Sequence, residues 1–278
     1  MKLTIAHSPD SDDAYMMAPL ALGWMDEDAD RAGFEFEFIR EDIEKLNALA
    51  TEARFDVTAI SFGAYPELKE KYDLLTAGSS IQEGTGPLVV SRRPMAPEQL
   101  RGVTVAIPGL RTSAYLSLRR FWEARSPEPG ARSLRTELLP FDQILPAVAE
   151  GRYEAGLLIH ESQLMYREAG LHLIVDLGRW WKEAYELPLP MGGNAIRKDL
   201  PLELKQRFAR VMRKSVELAR ARHWESVDYS QSFGRGMDRE MVSRYVQAWV
   251  NDFTVDPGPR GREAVSKLLG LEPVWIEG

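Results

Sequence analysis

Leu157-Leu158-Ile159-His160-Glu161-Ser162 is an apolar run that stops abruptly at a histidine flanked by polar groups. The apolar part reads as a buried strand. In an open α/β sheet, ligands bind in the crevice outside the carboxyl ends of the strands. His160 therefore stands where a ligand is expected, and an imidazole exchanges a proton near neutral pH. A lone histidine at a strand end is also often just a hydrogen-bonded surface or core residue, so the residues by themselves leave both readings open.

The rest of the chain repeats the same alternation. Apolar patterning predicts strands over 3–7, 34–39, 55–60 and 74–77, with helices over 12–24, 43–53 and 63–71 between them. Residues 86–91 form another apolar strand, followed by a proline-rich turn. The rhythm then restarts, with strands over 103–107, 136–141, 155–160 and 171–176 and helices over 112–124, 142–151 and 161–169. Beyond 187–194 the texture becomes helical, over 202–222, 237–252 and 260–269. Alternating strands and helices predict an α/β protein with helices on both sheet faces. Two such blocks predict two lobes, with residues 1–91 and 195–278 in the first and 92–194 in the second. A ligand would lie in the central cleft, and the helical C-terminal tail would pack back on the first lobe.

The 278 residues are 44% hydrophobic and 28% charged, the usage of an ordinary globular protein. The formal net charge of -7 argues against a nucleic-acid partner, since such proteins present a basic face. No cysteine is present, which excludes disulfides, thiolate nucleophiles and Cys-based metal clusters. Residues 1–7 read as a short strand rather than a signal peptide, and no run approaches the ~18 apolar residues of a membrane span. A cytoplasmic protein with no membrane partner is expected. Neither paired helical histidines for a metal nor a glycine-rich nucleotide fingerprint occurs, so no metal or cofactor is expected.

Three more polar strand ends accompany His160. The first strand leads into His7-Ser8-Pro9-Asp10-Ser11-Asp12-Asp13. Its plain reading is a helix start, with Ser11 as cap and Asp12 and Asp13 against the helix dipole. Its functional reading puts Ser8 at the ligand edge. The strand through Ala59 and Ile60 ends in Ser61-Phe62-Gly63, either a helix cap or a close ligand approach. Ile107-Pro108-Gly109-Leu110-Arg111-Thr112-Ser113-Ala114 is the best anion cradle, because free backbone N–H groups at a helix start attract a carboxylate. Capping alone also explains those hydroxyls. Trp180 and Trp181, with Tyr185, either roof the cleft against a planar ring or, as adjacent aromatics more often do, split between core and surface.

Taken together these motifs resemble the menaquinone-biosynthetic enzymes of the futalosine route, the 1,4-dihydroxy-6-naphthoate synthases. The carrying stretches are Ser8–Asp13, 42–47, 59–65, 84–89, 108–115, 158–162 and 187–192, in the expected order. The resemblance implies a two-lobed periplasmic-binding-protein fold of type II turned to catalysis. It also implies a lyase that converts cyclic dehypoxanthine futalosine to 1,4-dihydroxy-6-naphthoate, releasing a three-carbon fragment and needing no cofactor. By the same resemblance His160 is the catalytic base, with substrate contacts at Ala59, Ile60 and Ser61 and at Thr112, Ser113 and Ala114. Some members carry Ser-Pro-Cys-Pro-Asn-Asp where this chain has Ser-Pro-Asp-Ser-Asp-Asp. The competing readings are the chorismate dehydratase of the same pathway and a non-catalytic solute-binding protein for a small carboxylate. The expected partner is an anionic small molecule, and a homodimer is allowed.

Overall fold

The computed structural model describes residues 1–125, 134–234 and 236–278. Its strands, among these residues, are β1 (Lys2–His7), β2 (Glu35–Arg40), β3 (Val57–Ser61), β4 (Tyr72–Leu75), β5 (Ser80–Gln82), β6 (Leu88–Ser91), β7 (Thr104–Ile107), β8 (Arg135–Leu138), β9 (Ala155–Leu158), β10 (His172–Asp176), β11 (Leu189–Arg197) and β12 (Trp275–Ile276). The chain divides into two compact units. One joins Met1–Ile81 to Pro190–Gly278, and the other is Gln82–Leu189.

The first unit is built on a sheet of order β12-β4-β11-β3-β1-β2, with β5 also paired to β11. Strands β1, β2 and β3 run parallel, whereas β11 lies antiparallel between β3 and β4. Strand β2 alternates exposed and partly buried residues as an edge strand should, while β3 and β4 are buried throughout. Helix Ser11–Ala21 follows β1. The helix Leu202–Ala221 buries the stripe Phe208, Ala209, Val211, Met212, Ser215, Val216 and Ala219, the 3.6-residue period of one packed face. Ser215 fixes that contact by donating to the Met16 carbonyl at 2.7 Å. Met16, Met17, Phe208, Met212 and Trp249 lie in the resulting core.

The second unit carries a sheet of order β10-β6-β9-β7-β8. Strands β7, β8 and β9 are parallel, β6 runs against them, and β10 pairs antiparallel with β6. Val90, Ala106, Ile144, Val148 and Leu158 form a core on this sheet. Helix Leu177–Tyr185, which the sequence pattern does not announce, starts at the Asp176 cap and ends at Glu186 in the left-handed region.

The unit boundaries fall at 81/82 and 189/190, where the sequence places them at 91/92 and 194/195. Hydrogen bonding explains the displacement. Residues 88–91 pair with β9 and β10 of the second sheet. Residues 192–197 pair with β3 and β4 of the first. Both stretches are ladder strands rather than connections.

Candidate active site

In the first unit, the register Ile5↔Val57 and Ala6↔Thr58 brings the carboxyl ends of β1 and β3 side by side. The loops Ser8–Asp10 and Ser61–Ala64 leave from that shared edge, where an α/β sheet takes its ligands. Ser8, Ala59, Ile60 and Ser61 are therefore brought together at one sheet edge, and all four are buried.

Ser61 is held by Asn47, to which the sequence pattern assigns no role. The Asn47 side chain donates from Nδ2 to Ser61 Oγ at 3.1 Å and accepts the Ser61 N–H at Oδ1, 2.9 Å. Asn47 sits on helix Ile43–Ala50, whose Leu46 packs with Ala6, Phe55 and Ala59 beneath. Ser61 makes no side-chain cap, so the capping alternative falls away for this residue. Its oxygen accepts from Asn47, which leaves the hydroxyl hydrogen to be donated elsewhere.

The loop after β1 is acidic and buried. Asp10, not Ser11, caps helix Ser11–Ala21, its carboxylate accepting the Asp13 N–H. An extended backbone at Asp10 suits the cap position. Asp13 in turn accepts the Ser8 N–H at 2.8 Å, and Ser80 Oγ donates to Asp12 at 3.3 Å. Burial pushes the Asp12 and Asp13 carboxyls well above the usual carboxylate range, and the charge of Asp10 adds to both. His7, fully buried, has its Nδ1 2.8 Å from the Ser8 carbonyl, and burial lowers its proton affinity.

In the second unit, the register Val105↔Ala155 and Ala106↔Gly156 sets β7 beside β9 in parallel. The turn 108–112 and the turn 159–161 thus emerge from neighbouring strand ends on one edge. Thr112, Ser113 and Ala114 are buried at the first, and His160 is partly buried at the second. Thr112 Oγ1 donates to the Gly109 carbonyl at 2.9 Å and accepts the Tyr115 N–H at 3.2 Å. Its hydroxyl is thus the cap of helix Ser113–Arg125, and its single proton is committed to Gly109. An anion here would be held by the backbone N–H groups of the helix start.

His160 has φ +53, the left-handed region that an L side chain rarely adopts. Its ring meets Phe141 edge-on, with centroids 4.9 Å apart. Glu161 and Ser162 beside it are buried, and helix Ser162–Met165 begins at once. In the aromatic trio Trp181 takes the core position and Trp180 stays half-buried. Trp181 is 1% exposed, its ring centroid 4.4 Å from that of Tyr185, while Trp180 packs on Phe121 at 5.3 Å. Among the described residues no helix is long and apolar enough to cross a membrane.

Two α/β sheets, each with polar loops at its parallel strand ends, define a periplasmic-binding-protein-like fold. The structure of a Candida albicans gene product described as having the generic form of that fold agrees. It has a TM-score of 0.69 at 12% identity, covering 97% of this chain and 89% of that chain. The chain belongs to the menaquinone biosynthesis family, whose description it matches over residues 3–272. A 1,4-dihydroxy-6-naphthoate synthase from Thermus thermophilus is 35% identical over 267 residues, 96% of this chain and 92% of that protein. The crystal structure of protein AF1704 from Archaeoglobus fulgidus is similar at 39% identity and a TM-score of 0.87, covering 97% of this chain and 96% of that chain.

Proposed function

We propose that this chain is a carbon–carbon lyase of menaquinone biosynthesis that forms 1,4-dihydroxy-6-naphthoate from cyclic dehypoxanthine futalosine. The observation that carries the reading is the near-complete match to a relative of that name. His160 takes a proton from the bound spiro compound, a ring carbon–carbon bond breaks, and aromatisation of the naphthalene drives departure of the fragment. The ring's left-handed turn and its packing on Phe141 support this role, because strained residues persist where the surroundings over-determine them. The substrate's carboxylate meets the N–H groups at Thr112, Ser113 and Ala114. Ser61 donates its hydroxyl hydrogen, and Ser8, Ala59 and Ile60 line the approach at the same sheet edge. The enzyme works on this anionic small molecule in the cytoplasm without a cofactor, as a monomer or a homodimer.

Purified protein incubated with the cyclic substrate is expected to release the naphthoate, followed by chromatography. Binding of a small acid with no product would favour the solute-binding alternative that the fold permits, and turnover of chorismate would favour the dehydratase. His160→Ala should keep its circular-dichroism spectrum and lose about 10²–10⁴-fold in kcat, the usual contribution of a positioned base. Near-full kcat would remove His160 from the chemistry.

A further inference from the structure

Gln163 grips the turn carrying His160. The Gln163 side chain spans two backbone groups, donating to the Gly86 carbonyl at 2.9 Å and accepting the His160 N–H at 3.2 Å. A carbonyl at one end and an N–H at the other fix which way the amide must point. Gln163 also donates its own backbone N–H to the His160 carbonyl at 3.2 Å. Both main-chain polar groups of the left-handed residue are therefore tied to the same neighbour.

The far end of the link is rigid. Thr85 and Gly86 form the turn that enters β6, and the Asp176 carboxylate gathers it in. Asp176 accepts from Thr85 Oγ1 at 3.1 Å and from the Gly86 N–H, as well as from the Gly178 and Arg179 N–H groups. At Gly178 a Cβ would fall 2.0 Å from the Thr85 carbonyl, so the helix packs on the turn at a distance only glycine allows. A Cβ at Gly86 would likewise come within 2.8 Å of the Gly178 nitrogen.

We propose that Gln163 is a positioning residue for His160, transferring the rigidity of the Thr85–Gly86 turn to the backbone that aims the imidazole. The proposal rests on His160 being the base. A left-handed histidine relaxes unless its surroundings hold it, and displacing a reacting group by about 1 Å can cost about a hundredfold in rate. Both ends of the Gln163 amide are taken up by backbone groups. Its effect should therefore appear in kcat and leave substrate affinity alone.

The test is Gln163→Leu, similar in bulk but without the amide, and Gln163→Glu, which keeps an acceptor for the His160 N–H but cannot donate to Gly86 when ionised. Gln163→Leu is expected to lower kcat about 10–100-fold, with KM within twofold and Tm within about 4 °C of the parent. Gln163→Glu should fall between the two. In a His160→Ala background, Gln163→Leu should lower kcat no further. Amide hydrogen exchange at His160, read by NMR on the parent fold, should quicken at least about tenfold in Gln163→Leu. A kcat within twofold of the parent, or kcat, KM and Tm all moving together, would overturn the positioning role. Full activity of His160→Ala would instead retire the base reading, and the exchange measurement would still report whether Gln163 holds the turn.

Discussion

Ser61 shows how a single side chain sets a site's chemistry. With Asn47 occupying both its N–H and its oxygen, the serine has one rotor left, and that rotor carries a donor. Asn47→Leu would strand the buried Ser61 N–H, and an unsatisfied buried donor costs about 1–3 kcal/mol. We expect that loss in urea unfolding, and a smaller one for Asn47→Asp, which retains the acceptor. At the anion cradle Ser113→Pro, which removes one N–H at the first position of the helix, where proline is tolerated, should raise KM while leaving the urea midpoint near the parent's. An unchanged KM would count against the cradle. Much at this scale was legible in advance. A strand that ends in histidine or serine can be seen without coordinates, and so can a hydroxyl pair opening a helix. The clamp was not, because Asn47 lies 14 positions from Ser61 and reaches it only once helix Ile43–Ala50 has docked. Gln163 was hidden similarly, since nothing local marks a side chain that will bridge two backbones.

Among the elements, β4 and helix Leu202–Ala221 are joined by a buried ion pair. Lys205 Nζ lies 2.6 Å from Asp73 Oδ2, with both side chains under a tenth exposed. Lys205 also donates to the Lys198 carbonyl. Removing one member leaves an uncompensated buried charge, so Lys205→Met is expected to cost about 3–5 kcal/mol in chemical denaturation. A paired Lys205→Met, Asp73→Leu replacement should recover most of that loss. If the single variant is as stable as the parent, the pair is not a structural tie. The α/β rhythm of both units was readable from apolar periodicity. Strand β11 was not, because Pro188, Pro190, Gly192 and Gly193 look like loop residues. Pro190 lies within the strand, but the ladder to β3 opens at Gly192↔Ser61, beyond both prolines, so their missing N–H groups break no bond of that ladder. The helix expected over 63–71 shortens to Tyr65–Leu68 after a 3₁₀ turn at Phe62–Ala64, with Pro66 in its first turn. Strand β12 spans two residues, too few for any period to register.

For the whole molecule, the buried acids after β1 make stability depend on pH. The folded pKa values of Asp12 and Asp13 stand above the ordinary 3.8, through burial first and Asp10 second. Their stabilising contribution is therefore complete below pH 3.8 and is lost as pH rises through the raised folded values. His7 runs the other way. Burial lowers it from 6.5, so its contribution is complete above that pH and is lost as pH falls through the lowered value. Asp12→Asn should be close to neutral near pH 3.5 and increasingly stabilising toward pH 8, seen as a growing Tm difference between variant and parent. A difference that stays flat would show that Asp12 is not held protonated by the fold.

The antiparallel return of β11 into the middle of the first sheet also orders events on the ribosome. Residues 82–189 are complete as a unit before β11 exists, while β3 and β4 are already made and lack the strand that will lie between them. At roughly 5–20 residues per second, that gap stays open on the order of ten seconds. Two apolar strands must wait that long with unpaired edges, so nascent chains stalled near residue 185 are where chaperone capture and premature aggregation should concentrate.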